Sequence, residues 1–454
     1  MALSNDDLRK LARGESIEVP EQLFSSLNPR GWPDDPDLRR AVDWLKGYAG
    51  DDWPRRRLAA FARLHASAVG DLGFDEKGQF FDTGDTLGWY LFLGEAYLDH
   101  AWNFEPMYGS RVIPLLKAIG RSLPLIQGIS GIDDRVKRLV GAEKRQPNGI
   151  LFELLVAASY RRAGAAVEFR LETPGQRKTH DLDVTIGGIL YAVECKRMQT
   201  SGYGEQERMR MRVLWRPASE LLEKMGLSVF VDVTFQIPIA EVHERYLLER
   251  AEQWLSSKLP SLLWQDDFAR GTIGEMDLAP LQSVLETDDV LISGTRVLEL
   301  LTGRYRRHEN HIQGVRFKYG ASPRYMHECD QAIVLRWKCL AEASVNAKAK
   351  DVVAKLAQAT EQLPNDRPGV VHIGLEAVEG DESEAARIAR VLRSLEKFDP
   401  RDKPLEFVYV HYFLPNSPPE GGWDFEERVD WRRLSGTSRM PLDPAMLVIP
   451  ADDA

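Results

Sequence analysis

Residues 180–197, HDLDVTIGGILYAVECKR, place charge where a buried strand normally excludes it. An unpaired charge taken out of water costs several kcal/mol or more, on the order of the whole stability of a domain. Whatever fold this chain adopts must therefore give these groups partners, or place them at a sheet edge. Two short apolar runs flank Gly187-Gly188, and alternate residues of a strand share a face. Asp181, Asp183 and Thr185 then point one way, with Leu182, Val184 and Ile186 opposite. On the second strand Leu190, Ala192, Glu194 and Lys196 share a face, and Tyr191, Val193 and Cys195 lie behind them. A hairpin about the two glycines brings Asp183 and Glu194 together, with Lys196 beside them.

Around this stretch the pattern changes along the chain. Residues 1–145 carry apolar side chains at helical spacing, as in DLRRAVDWLKGYA and RVIPLLKAIGRSL, and predict a helical N-terminal domain. GILFELLVAASYRRAG follows as a helix, its apolar run interrupted by Glu153. Strands are expected over 165–172, 180–187 and 189–197, then a helix over 205–225 and a strand over 227–235. The order is α-β-β-β-α-β within a core spanning 146–236. Residues 237–311 predict a mainly helical insertion. Residues 312–454 predict a C-terminal α/β region able to extend the core sheet. The expected class is mixed α/β.

Two carboxylates and an ammonium on neighbouring strands have a chemical use. Hard oxygen ligands hold Mg²⁺, which keeps several waters and also takes substrate phosphate oxygens. Such an ion activates water for hydrolysis, and a nearby lysine steadies developing charge. Glu-x-Lys alone carries little weight, since ordinary usage yields it about once or twice in a chain this long. Its context is what matters: an aspartate on the neighbouring strand, apolar flanks, and Glu153 on the preceding helix. The alternative is a pair of exposed hairpin strands with ordinary ion pairs.

The αβββαβ order with Asp183, Glu194 and Lys196 resembles the PD-(D/E)xK nuclease superfamily, the restriction-endonuclease-like fold, over residues 147–235. That resemblance implies Asp183 and Glu194 as metal-binding carboxylates, Lys196 as the water-orienting lysine and Glu153 as an accessory acid. It implies Mg²⁺, with Mn²⁺ able to substitute, and a nuclease acting on DNA in preference to RNA, in bacterial defence or DNA processing. Leu182 stands where the proline of the family motif would be.

The formal charge of −10 and pI near 5.6 exclude a protein that coats nucleic acid with its whole surface. Phosphate contact then needs local patches, and two are candidates: Arg208, Arg212 and Arg216, at helical i,i+4 spacing, and Arg304, Arg306 and Arg307. Three cysteines, Cys195, Cys329 and Cys339, form no CxxC pair, and HENH (308–311) and MHEC (326–329) lack zinc-site spacing. There is no phosphate-binding Gly-rich loop with Lys-Ser/Thr and no apolar run long enough for a membrane span, so the chain reads as cytosolic and free of membrane. The long flanking regions leave room for protein partners, and a homodimer would bring two sites to two strands. A second class fits as well: a nuclease-fold protein that binds or scaffolds nucleic acid without cutting it.

Overall fold

Asp35 and Pro36 open the first long helix of the computed structural model, which describes residues 32–68, 81–171, 179–198, 202–320, 322–445 and 448–449, with residues 4, 6, 7, 10 and 24. The Asp35 carboxylate accepts the N–H groups of Asp37 and Leu38, and Pro36 loses no bond at the first helical position. This helix, α1 (Pro36–Ala49), buries Leu38, Ala41, Val42 and Leu45 on one face. It packs on α3 (Thr86–Asp99), α4 (Pro106–Ile126) and α5 (Ile132–Val140), and α2 (Trp53–Ala68) packs on α3, in a layer without strands among the described residues. Helix α6 (Asn148–Arg162) follows, buried almost all round, with Glu153 among its buried residues.

Helix α3 is apolar on nearly every side yet carries Glu95. Lys46 Nζ (2.9 Å), Trp53 Nε1 (3.0 Å) and Arg57 Nη1 (3.2 Å) converge on that carboxylate. Burial raises its pKa, but the nearby His100 (3.6 Å) and the Lys46 ammonium outweigh burial and hold it at about 2. A folded-state pKa below the ordinary 4.5 stabilises the fold above that pH, and the contribution fades as pH falls toward 2. Glu95→Gln is expected to cost about 3 kcal/mol at pH 7, because it strands buried cations. Urea denaturation of both proteins from pH 7 to pH 2.5 checks this: the gap should narrow with acid, and a gap independent of pH contradicts it.

The chain then builds a sheet from β1 (Ala166–Phe169), β2 (Leu182–Ile186) and β3 (Ile189–Met198), antiparallel in sequence. Gly187 and Gly188 take φ of 59° and 79°, the left-handed region that a two-residue hairpin turn uses and that glycine enters at no steric cost. After β3 comes α7 (Gly202–Lys224), then β4 (Val229–Phe235). Here the sequence expectation is corrected: β4 does not join β1–β3. It pairs with strands of a second sheet.

That second sheet is formed by β4, β5 (Ser261–Gln265), β6 (Ala269–Glu275), β7 (Val290–Leu291), β8 (Asn310–Tyr319) and β9 (Tyr325–Cys339), with α8 (Tyr246–Ser257), α9 (Ala279–Leu285) and α10 (Thr295–Thr302) in its connections. Residues 237–311 are thus mixed where a mainly helical segment was expected. The hairpin β5–β6 turns at Asp266, whose carboxylate accepts the N–H groups of Phe268 (2.8 Å) and Ala269 (2.9 Å).

The chain returns to the first sheet through α11 (Glu342–Gln362), β10 (Gly369–Glu376), α12 (Asp381–Leu395), β11 (Leu405–Asn416) and β12 (Asp424–Arg433). Its strand order is β1-β2-β3-β10-β11-β12, with β10 parallel to both β3 and β11. Every residue of β10 is buried, as a central parallel strand requires. α6 and the N-terminal helices cover one face through Leu182, Val184, Tyr191 and Val193. α11 and α12 cover the other through Ala192, Val371 and Ile373. The fold is mixed α/β, and α11 and β10 stand where 205–225 and 227–235 were expected.

Candidate active site on strands β2 and β3

The hairpin register pairs Leu182 with Val193 and Asp183 with Ala192. Asp181, one residue before β2, lies just beyond that ladder, beside Glu194 and Cys195. Its N–H donates to Val193 O (3.0 Å), and its Oδ2 accepts the Cys195 N–H (2.8 Å). Glu194 is fully buried. Its Oε1 pairs with Lys196 Nζ, while its Oε2 has no hydrogen-bond donor among the described residues. Burial first and the Asp181 charge second push the Glu194 pKa up to about 9, against the pull of Lys196. The lysine responds in kind. Burial works against its charge, but Glu194 and Asp181 outweigh that and keep its pKa above the usual value, so Lys196 is an ammonium.

Glu153 approaches from α6. Burial, then the Asp181 charge, lift its pKa to about 8, with Arg135 opposing. Its Oε2 lies 2.9 Å from Arg135 Nη1, off the line of an N–H bond, so the contact is an ion pair without a hydrogen bond. Arg135 belongs to α5 and is only 3% exposed. Its Nη2 donates to Arg170 O (2.9 Å) and Asp181 O (3.4 Å) and lies 3.7 Å from Asp181 Oδ1. The guanidinium also covers the Phe169 ring, 5.7 Å from its centroid. One buried arginine thus ties the helical layer to both strand ends. Cys195, behind the site, is a buried thiol whose pKa burial drives well up, which leaves it unreactive.

Asp183 is placed differently from the expectation. It remains on the same face as Glu194, but its carboxylate is gripped by His180 Nε2 (2.7 Å), Arg367 Nη1 (3.2 Å) and Arg170 Nη1 (3.3 Å). Burial opposes its ionisation, yet the His180 hydrogen bond and the charges of His180, Arg170 and Arg367 prevail and hold its pKa below the usual value. The register is the physical reason: Ala192, not Glu194, faces Asp183 across the ladder. The acidic partner of Glu194 is Asp181, and Asp183 has its valences taken by cations.

The two basic patches divide. Arg208 lies near Glu205 (3.6 Å) and Glu379 (3.7 Å), while Arg212 and Arg216 are exposed farther along α7. Arg304 pairs with Asp232 of the second sheet (3.6 Å), while Arg307 pairs with Asp381 (3.1 Å) and Glu426 (3.4 Å) and so links that region to α12 and β12. Arg306 is exposed. Among the described residues no group of three or more His, Cys, Asp or Glu is arranged to hold a metal ion. His327 pairs with Asp289 (2.9 Å), and His311 is held neutral by burial, with a pKa of about 4. No described helix is long and apolar enough to cross a membrane. Comparison with family models, with curated proteins and with solved structures finds no match in any of the three.

Proposed function

We propose that this chain is a divalent-metal-dependent nuclease whose site is formed by Asp181, Glu194 and Lys196, with Glu153 behind them. The observation that carries the reading is Glu194, fully buried beside the Asp181 carboxylate, with one oxygen that has no donor among the described residues. Groups that costly are retained where a ligand repays them. The donors fit a hard cation. All are carboxylate oxygens, and Mg²⁺ takes one or two carboxylates, completing its shell with water and substrate. An ion held there supplies Lewis-acid polarisation of a phosphodiester and makes water more acidic. Lys196, already charged, steadies negative charge and orients water; it does not take the proton.

The αβββαβ order supports a restriction-endonuclease-like core once α11 and β10 supply its last two elements, with 199–341 lying between. DNA as the preferred polymer comes from that resemblance. The second reading, binding without cutting, is favoured by one observation: Lys196 and Arg135 already pair the three acids.

The test is incubation of the purified chain with Mg²⁺ or Mn²⁺ and a panel of supercoiled, linear and single-stranded DNA plus RNA, with Lys196→Ala as control. Metal-dependent cutting that falls by about 10²-fold or more in the control is expected. Cutting equal in Lys196→Ala rejects the assigned site, and no cutting of any substrate with Mn²⁺ bound favours the second reading.

A further inference from the structure

The second sheet has one covered face and one that is partly open. Val231, Val233 and Phe235 of β4 lie in a core with α7 and α8, and strand alternation turns Asp232 and Thr234 to the other side. At one end of that side Phe230 and Val334 pack beneath α9 and α10. Beyond them the face is open. The register sets Leu263, Thr272, Asp232 and Arg336 in one row across β5, β6, β4 and β9, and Gln265, Arg270, Thr234 and Lys338 in the next. An open cavity of about 450 Å³ lies over the β5, β6 and β4 parts of both rows. Its floor is polar. Among the described residues the side chains of Thr234, Gln265, Arg270 and Thr272 have no hydrogen-bond or ion-pair partner.

Charge is unbalanced there. Arg304 (3.6 Å) and Arg336 both pair with Asp232, Arg336 Nε lies 3.5 Å from Glu309, and Lys338 pairs with Glu382 of α12 (2.8 Å). With Arg270, four cations meet three carboxylates, a local excess of positive charge on a chain of formal charge −10. Arg270 carries that excess, since it is exposed and forms no ion pair among the described residues. A small ligand needs most of its surface enclosed, which an open sheet face does not provide, whereas a polymer can lie across it. Neither row holds an aromatic ring on which a base could stack, so phosphates are the groups left to bind. We propose that the open face of the second sheet is a binding site for the nucleic-acid backbone, in which Arg270 contacts phosphate and Thr234, Thr272 and Gln265 donate hydrogen bonds. Contacts of that kind fix the polymer without reading its sequence. The inference rests on the nuclease reading for its polymer and adds a second contact, distant in sequence from the β2–β3 site.

Fluorescence anisotropy of the full chain in EDTA, with a labelled oligonucleotide as single strand and as duplex, tests it. The wild type should bind at least one form, with an affinity that falls steeply between about 50 and 200 mM salt. Arg270→Ala should bind about five- to tenfold more weakly at about 0.1 M salt and flatten the slope of log K against log salt by about 0.7–0.9, the share of one phosphate contact. Arg270→Lys keeps the charge and should keep the wild-type slope. So should Lys397→Ala, which removes an exposed cation beyond the far end of α12. An unchanged slope in a folded Arg270→Ala variant overturns the proposal. A mononucleotide that binds as tightly as the oligonucleotide also overturns it, because the occupant is then a small phosphorylated molecule. No binding by the wild type in EDTA does the same, since these contacts need no metal. The nuclease reading is judged separately, by cutting with Mn²⁺ and its Lys196→Ala control.

Discussion

Glu194→Gln is expected to abolish metal-dependent cleavage, by about 10³-fold or more, while raising the melting temperature of the metal-free protein. Both effects have one cause. Glu194 is fully buried, one of its oxygens has no donor, and burial with the Asp181 charge lifts its pKa to about 9. A carboxyl whose pKa is raised on folding makes the folded state less stable at every pH above its ordinary 4.5, increasingly so until about 9. The amide keeps the shape, gives Lys196 an acceptor and removes that penalty, a gain of about 1–3 kcal/mol. It also removes half of the pair proposed to hold the ion, and mutating a group that acts on developing charge costs about 10²–10³-fold for one hydrogen bond alone. Active sites kept at the expense of stability behave in this way. Paired cleavage assays and thermal melts, run with EDTA and with Mn²⁺, check the result. Cleavage retained in the variant rejects Glu194 as a ligand, and a lower melting temperature with EDTA rejects the account of its burial.

The second large effect lies in the helical layer. A Cβ built on Gly120 of α4 would sit 1.7 Å from the Asp37 carbonyl oxygen and 3.1 Å from the Ala41 nitrogen of α1. Those are backbone atoms, which cannot step aside as a side-chain end can. The two helices touch through the bare backbone at that point, so even one methyl must push them apart. Gly120→Ala is expected to destabilise the fold by more than about 3 kcal/mol, at the upper end for a single substitution. Gly149 near the start of α6 has nothing within 4 Å of its would-be Cβ, and Gly149→Ala should be neutral or stabilising by up to about 1 kcal/mol. Denaturant melts of both variants give the comparison. Similar stability for the two would contradict the packing of α1 on α4. Because α5 carries Arg135, loosening this layer should also slacken the grip on Asp181 and Glu153.

The mixed α/β class, the hairpin and the face shared by Glu194 and Lys196 were legible in residues 180–197, because strand alternation and a Gly-Gly turn leave little freedom. The pairing itself could also have been read. Counting outward from a two-residue turn, Ile186 meets Ile189 and Asp183 meets Ala192, two residues short of Glu194. The preference for Asp183 came from strand alternation, which shows that it shares a face with Glu194 but not which residue it meets across the ladder; that residue is Ala192. By contrast, Arg135, Arg170 and Arg367 carry no sequence signal of proximity. They lie on a helix, a strand end and a loop, and only the packing of α5 on the sheet and the return of β10 beside β3 bring them together. The assignment of β4 to the first sheet failed for a similar reason: an αβββαβ order is the same whether its last two elements follow at once or after a second sheet has intervened. The strands β5 and β6 were hidden by their length, five and seven residues, and by their weak alternation.

The most direct test of the central claim is the anomalous difference map of a crystal soaked in Mn²⁺. A single peak between the Asp181 and Glu194 carboxylates, with Lys196 turned away from Glu194 Oε1, is the predicted result. A peak on Asp183, or none within reach of Glu194, would contradict it.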